Sequence, residues 1–138
     1  AGTVGADAVE ALRGRGELVL VVEDDDAVRS TLVRTLRSAG YLVIEAGSGA
    51  GALSLFGYAG GTIALVLTDV VMPEMSGPQL AVELERRRPG VKVLYCSGYT
   101  DDTLTMQGLL QAGTRLISKP VEKHVLLAKI REMLDEKD

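Results

Sequence analysis

Leu65-Val66-Leu67-Thr68-Asp69-Val70-Val71-Met72-Pro73 is the stretch on which the reading of this chain turns. The apolar run from Ile63 to Leu67 has the length and composition of a buried strand, and Met72-Pro73 breaks it soon after a single carboxylate. Asp69 therefore stands at a strand's carboxyl end. Ligands of open parallel α/β sheets bind outside that edge, which makes an acid there a candidate site residue. Taken alone, the segment also allows a plainer role in which Asp69 starts a turn.

On either side the chain alternates two periods. Upstream, Leu18 to Val22 reads as a short strand, and Val28, Leu32, Val33 and Leu36 then recur at helical spacing until Gly40. Leu42-Val43-Ile44 gives a second strand, and Ala50 to Tyr58 a small helix closed by Gly60-Gly61. Downstream, Pro78 suits a first helical position after Gly77, Leu80 and Leu84 follow at helical spacing, and Pro89-Gly90 stops the helix. A fourth strand is expected over Val91 to Cys96, a weakly apolar helix over roughly Asp102 to Ala112, and a fifth strand over Arg115 to Ser118. The last helix is expected over Glu122 to Glu136, with Val125, Leu126, Ile130 and Met133 facing the core. Five strands, each followed by a helix, imply a parallel sheet covered on both faces.

Composition limits what else the chain can carry. With 138 residues, 46% of them hydrophobic, it can build one domain with a real core but not two of ordinary size. Fifteen basic residues against nineteen acidic ones, with 4% aromatics, do not make a nucleic-acid surface. The basic residues gather only at Arg86-Arg87-Arg88, at an expected helix end where cations complement the dipole. Cys96 is the single cysteine, so no internal disulfide or cysteine-based zinc site is available, and a reducing, cytoplasmic setting fits. No apolar run approaches the ~18 residues needed to cross a bilayer, so no membrane contact by this domain is expected. Residues 1–16 are rich in Gly and Ala without a core pattern and read as a linker or flexible segment, with the domain proper at 17–138. The chain is expected to be a fragment of a longer polypeptide.

The strand ends carry the chemistry. The first ends in Glu23-Asp24-Asp25-Asp26, the third in Asp69, the fourth in Ser97 and the fifth in Lys119-Pro120, all on one edge of a parallel sheet. A structural account of the acidic run needs only Asp26, as the cap of the first helix. Glu23, Asp24 and Asp69 supply the oxygen donors that a hard divalent cation such as Mg2+ takes together with phosphate oxygens; solvated surface charge is the alternative for the run. Lys119 brings an ammonium to the same edge and Ser97 a hydroxyl. A carboxylate nucleophile, a metal, a cation and a hydroxyl donor are what in-line phosphoryl transfer to an aspartate requires.

These residues resemble the receiver domain of bacterial two-component response regulators. The resemblance covers about residues 18–136. It is carried by Val-Val-Glu-Asp-Asp at 21–25, Leu-Thr-Asp-Val-Val-Met-Pro at 67–73 followed by Ser76-Gly77, Cys-Ser-Gly-Tyr at 96–99 and Ser-Lys-Pro at 118–120. It implies a flavodoxin-like (βα)5 doubly wound fold with a five-stranded parallel sheet in the order 2-1-3-4-5. It further implies that Asp69 is the phosphoacceptor, that Glu23 and Asp24 hold Mg2+ with Asp69 and the backbone carbonyl of Val71, that Ser97 is the switch hydroxyl, and that Lys119 contacts the phosphoryl group. A cis peptide is implied at Lys119-Pro120. The donor would be the phosphohistidine of a histidine kinase, and the receiver would catalyse its own phosphorylation and dephosphorylation.

The output implied is a changed partner preference, and a dimer contact, on the face made by the fourth helix, fifth strand and fifth helix. Leu116 departs from the family pattern, which has an aromatic second switch residue there, and Gly98 replaces a commoner Ala. Val71 offers no hydrogen bond to an attacking water, and Tyr99 is placed to cover a phosphoryl group, so slow self-dephosphorylation is expected. The 96–102 segment resembles receivers fused to the carboxyl end of hybrid sensor histidine kinases, which pass the group to a downstream phosphotransfer protein.

Other readings exist. A pseudo-receiver, binding partners without phosphorylation, would have lost part of this residue set. An aspartyl-phosphate hydrolase would want a second Asp where Val71 stands. A flavodoxin-like cofactor binder would need a Gly-rich phosphate loop after the first strand. His124, the only histidine, is expected on the surface, and Cys96 as buried strand filler.

Overall fold

The structure is a computed structural model, and it describes residues 12–98, 107–109 and 113–136. Five strands alternate with helices: β1 (Leu18–Val22), α1 (Asp26–Ser38), β2 (Leu42–Ala46), α2 (Gly49–Ala59), β3 (Ile63–Asp69), α3 (Gly77–Arg87), β4 (Val93–Ser97), β5 (Arg115–Ser118) and α4 (Lys123–Asp135). All pair in parallel in the order β2-β1-β3-β4-β5. The expected helix over Asp102 to Ala112 lies largely outside the described residues; Gln107 to Leu109 are helical.

The helices α1 to α4 each start where a polar side chain can take an orphan backbone donor. Asp25 accepts from Val28 N–H, Ser48 from Gly51 N–H, and Glu122 from the N–H groups of His124 and Val125. Ser76 and Gln79 satisfy each other's backbone in a capping box, with proline in the first turn of α3. The cap of α1 is thus Asp25, not Asp26: Asp25 accepts from Val28 N–H at 3.0 Å, and Asp26 is already the first helical residue. Gly40, at φ +98, ends that helix in a conformation that favours glycine.

The sheet is covered on both faces. Val19, Val21, Leu65 and Leu67 point to the side packed by Leu32, Val33 and Leu36 of α1 and Leu126, Ile130 and Met133 of α4. Leu20, Val22 and Val66 point to the other, against Ala52 and Phe56 of α2 and Leu80 and Leu84 of α3. Each fully buried Leu or Ile contributes roughly 1.5–3 kcal/mol of transfer free energy, so the two apolar layers dominate the fold. Val125 does not join them; it is exposed, and Leu127 is buried in its place, because 126, 127, 130 and 133 share one helical face and 125 lies off it. β4 begins at Val93 rather than Val91, whose N–H closes the preceding turn onto Arg88.

Arginines hold the lower edge together. Arg88 donates to the carbonyls of Gly60 and Ile63 and lies over the Phe56 ring, 5.9 Å from its centroid, so the arginine triplet serves the fold as expected. Arg131 is buried and donates to Glu17, Asp135, the Tyr41 hydroxyl and the Arg13 carbonyl. Gly14 N–H bonds Ala39 O at 2.6 Å and Gly16 N–H bonds Gly40 O at 3.1 Å, so residues 13–16 lie against the turn between α1 and β2.

Candidate functional site

Parallel register puts four strand ends side by side. Val22 pairs with Thr68, and Asp69 with Cys96, so the residues following β1, β3 and β4 converge at one edge of the central strands. Glu23 continues β1: its N–H bonds Ala46 O at 3.1 Å, and its side chain is 2% exposed. Asp69 ends β3 and is also buried, whereas Asp24 is exposed. Carboxylate oxygens of Glu23, Asp24 and Asp69 lie within 4.8 Å of one another.

Two buried carboxylates this close repel, and the countercharge is Lys119. Its Nζ lies 2.7 Å from Asp69 Oδ2 and 3.1 Å from Glu23 Oε2. Burial alone would pull the ammonium's pKa down; the hydrogen bonds and charges of Asp69 and Glu23 outweigh it and hold the pKa above its ordinary value. Burial pushes the Glu23 carboxyl above the usual carboxylate range, and the Asp69 charge adds to that, while the Lys119 hydrogen bond partly offsets both. The peptide bond between Lys119 and Pro120 is cis, as the resemblance implied. Lys119 N–H donates to Ser97 O at 2.7 Å, so the β5 exit is tied to the β4 exit at the site.

The loop after Asp69 is shaped around it. Gly77 N–H bonds Val70 O at 2.9 Å, and a Cβ on Gly77 would collide with the Asp69 carbonyl oxygen. The start of α3 therefore closes directly beneath the β3 end, which explains why glycine follows Ser76. Val71 stands in this loop, 54% exposed. Ser97 ends β4, half-buried, one residue beyond the Cys96 that pairs with Asp69. Glu23, Asp24, Asp69 and Lys119 are thus brought together, with Ser97 and Val71 at neighbouring positions on the same edge. Tyr99 lies outside the described residues. His124 is exposed beside Glu122, and Cys96 is buried, its thiol pushed up to about 12 by burial.

One residue escaped the sequence reading. Arg29 of α1 donates to the Glu23 carbonyl at 2.7 Å, and also to Asp26 and Glu45. A lone cation three residues after an acidic run was its only signal.

A buried carboxylate and a lysine at the carboxyl edge of a doubly wound parallel sheet define the class of α/β domains that bind charged ligands outside their strand ends. Within that class, the chain belongs to the response regulator receiver domain family, whose description residues 19–131 match. It is 42% identical over 120 residues to the sensor kinase CckA of Brucella abortus, covering 87% of this chain and 13% of that protein. It is 33% identical over 116 residues to the response regulator receiver protein CpdR of the same organism, covering 84% of this chain and 95% of that protein.

Among solved structures, the receiver domain of hybrid histidine kinase CckA is 31% identical with a TM-score of 0.71, covering 86% of this chain and 99% of that one. A CheY-like receiver domain protein from Methanospirillum hungatei JF-1 is 31% identical with a TM-score of 0.77, covering 87% and 94%. The domain is a two-component receiver, with the flavodoxin-like fold and the 2-1-3-4-5 order expected. Receiver domains bind Mg2+ at an acidic cluster, and Glu23, Asp24 and Asp69 form one here, with hard oxygen donors only. Among the described residues no helix is long and apolar enough to cross a membrane.

Proposed function

We propose that Asp69 is the phosphoacceptor of this receiver, taking a phosphoryl group from the phosphohistidine of a histidine kinase. The observation that carries this reading is the Lys119 ammonium held between Asp69 and Glu23 at the sheet edge. An Asp69 carboxylate oxygen attacks phosphorus, the O–P bond forms as the N–P bond breaks, and the electron pair leaves on the donor's imidazole nitrogen. Lys119, 2.7 Å from Asp69 Oδ2, is already placed to accompany the arriving phosphoryl oxygens. Glu23, Asp24 and Asp69, with the Val71 carbonyl, would hold Mg2+, which when bound neutralises charge on those oxygens. Ser97 supplies the hydroxyl that turns toward the phosphorylated aspartate, altering the face that includes β5 and α4, where a dimer contact would also form.

An apolar groove of about 720 Å3 between α1 and α4, walled by Val28, Thr31, Leu32, Val121 and Leu126, opens beside Lys119 and suits the donor's approach. The higher identity to CckA favours a segment of a hybrid sensor kinase, working in the cytoplasm and handing the group to a phosphotransfer protein, over a separate regulator.

Incubation with Mg2+ and acetyl phosphate should add about 80 Da, one phosphoryl group, to the intact mass. Hydroxylamine should remove it, since it cleaves acyl phosphates and spares phosphoesters. No mass gain, with beryllium fluoride also leaving the fold unperturbed, would transfer the assignment to a pseudo-receiver.

The lifetime of the product should be long. Hydrolysis needs a water oriented on phosphorus, and the Val71 side chain is exposed hydrocarbon with no donor or acceptor to orient one. Val71→Asn should shorten the half-life on the order of tenfold, less than the roughly 100-fold or more of a full acid–base group, because an amide orients the water without taking its proton. A parent half-life of seconds with Mg2+ present would contradict the argument.

A further inference from the structure

We propose that Arg29 is a positioning residue for the cation site, fixing the Glu23 main-chain carbonyl so that Glu23 and Asp24 face Asp69. The inference rests on reading Glu23, Asp24 and Asp69 as the site of a divalent cation. Both backbone polar groups of Glu23 are held: its N–H by Ala46 O at 3.1 Å, its carbonyl by Arg29 Nη1 at 2.7 Å. The Glu23–Asp24 peptide plane therefore has one orientation, and with it the direction in which the Asp24 side chain leaves the backbone. The Glu23 carboxylate is held from the other side, accepting from Asp25 N–H at 3.2 Å and from Lys119.

The guanidinium suits this task in a way a lysine could not. Its planar fork places Nη2 2.6 Å from Asp26 Oδ1 and Nε 3.0 Å from Glu45 Oε1 while Nη1 reaches the carbonyl. Those two carboxylates absorb its charge, so a cation bound at Glu23, Asp24 and Asp69 meets a neutralised neighbour rather than a bare one. They also hold the guanidinium firmly protonated, the Asp26 hydrogen bond most of all. The side chain is only 17% exposed, and Gly47 leaves it room: a Cβ there would come within 3.2 Å of Nη1. Glu45 lies in β2 and Asp26 begins α1, so Arg29 ties the acidic loop to the elements on either side of it.

The test is Mg2+ binding by isothermal titration calorimetry on the parent, Arg29→Met and Arg29→Lys, with thermal midpoints in EDTA. Arg37→Met is the matched control, because Arg37 also reaches from α1 to a strand carbonyl, Val43 O at 3.1 Å, but far from the acidic loop. Arg29→Met should weaken binding about 10- to 100-fold, the usual cost of removing a group that orients metal ligands. Arg37→Met should lower the midpoint and leave Mg2+ affinity as in the parent. Parent-like affinity in folded Arg29→Met, or an equal loss in Arg37→Met, overturns the inference. If Arg29→Met does not fold, Arg29→Lys decides: one ammonium cannot hold the carbonyl and both carboxylates, so affinity should fall roughly threefold or more, and parent-like binding overturns the proposal. A parent that binds no Mg2+ removes the cation-site reading itself.

Discussion

Lys119→Met should unfold far more easily than the parent at neutral pH in EDTA, and recover when either protons or Mg2+ are supplied. Lys119 faces two carboxylates whose side chains are 2% and 8% exposed. Removing it leaves Glu23 and Asp69 buried together with no countercharge. Breaking a fully buried ion pair costs ~3–5 kcal/mol; a quarter of the Lys119 side chain reaches solvent, so about 2 kcal/mol is expected here. The pH dependence follows from Glu23. Its carboxyl already titrates above its ordinary value, through burial and the Asp69 charge, against the opposing Lys119 hydrogen bond. Without the lysine, the Asp25 N–H hydrogen bond is left to oppose the upward influences.

An acid whose folded pKa is raised favours the fold below its unfolded pKa and loses that advantage as pH rises through the folded pKa. Lys119→Met should therefore lose stability as pH rises from mildly acidic to neutral, above the ordinary carboxylate range and through the raised Glu23 value, while the parent's lysine stays charged and protective. The parent's own Lys119 contribution should fade only in alkali, as pH rises past the ordinary lysine value toward the raised folded one. Mg2+ should stabilise the variant more than the parent, because a cation replaces the missing charge. Urea denaturation at mildly acidic, neutral and alkaline pH, with EDTA and with Mg2+, measures all three effects. Equal stability of variant and parent at neutral pH in EDTA would show that the lysine is not the countercharge.

Most of this arrangement was legible in the sequence for a physical reason. Buried parallel strands must be apolar along their whole length, so the first polar residue after each run marks the sheet edge. Glu23 and Ser97 are the first polar residues after such runs, Asp69 and Lys119 follow one residue later behind Thr68 and Ser118, and the register delivers all four to one place. What periodicity could not reveal was anything depending on how a long side chain folds back. Arg29 sits on a helix whose apolar face looks elsewhere, and its bond to the Glu23 carbonyl leaves no trace in spacing. Arg131 was equally hidden: it falls in the middle of α4, where only the fold reveals Glu17 and Tyr41 beside it.

The cap of α1 was misplaced by one residue because four consecutive acids offer four equivalent candidates and only the backbone selects among them. Leu116 was recognised as a departure from the family pattern. In the sheet it pairs with Tyr95, a buried aromatic on the neighbouring strand whose ring would lie 3.2 Å from a Cβ on Gly77. An aromatic side chain thus stands one strand away from the position where the family places one.

Asp69→Asn should abolish the phosphoryl mass gain and, in Mg2+-free buffer, make the domain more stable. The first effect is absolute, because a neutral carboxamide cannot form the acyl phosphate. The second comes from charge. Glu23, Asp24 and Asp69 carry three negative charges against one on Lys119, a net of −2, and the substitution makes it −1. At separations within 4.8 Å, repulsion between like charges at an effective dielectric near 20 is on the order of 3 kcal/mol. Asp69 meets two such like charges, Glu23 and Asp24, while its attraction to Lys119 at 2.7 Å, on the order of 6 kcal/mol on the same footing, gives way to a neutral hydrogen bond, so a gain of about 1 kcal/mol should remain.

Mg2+ should stabilise Asp69→Asn less than the parent, because one ligand charge is gone. The two readouts separate the competing roles of this residue. If Asp69 only starts the turn after β3, the substitution keeps turn chemistry intact, leaves any mass gain in place and does not raise stability. If the acceptor is another carboxylate of the acidic run, the mass gain survives while the stability still rises. Loss of the phosphoryl group together with a more stable fold is expected only if strain from clustered charge is retained at this position for the sake of the chemistry.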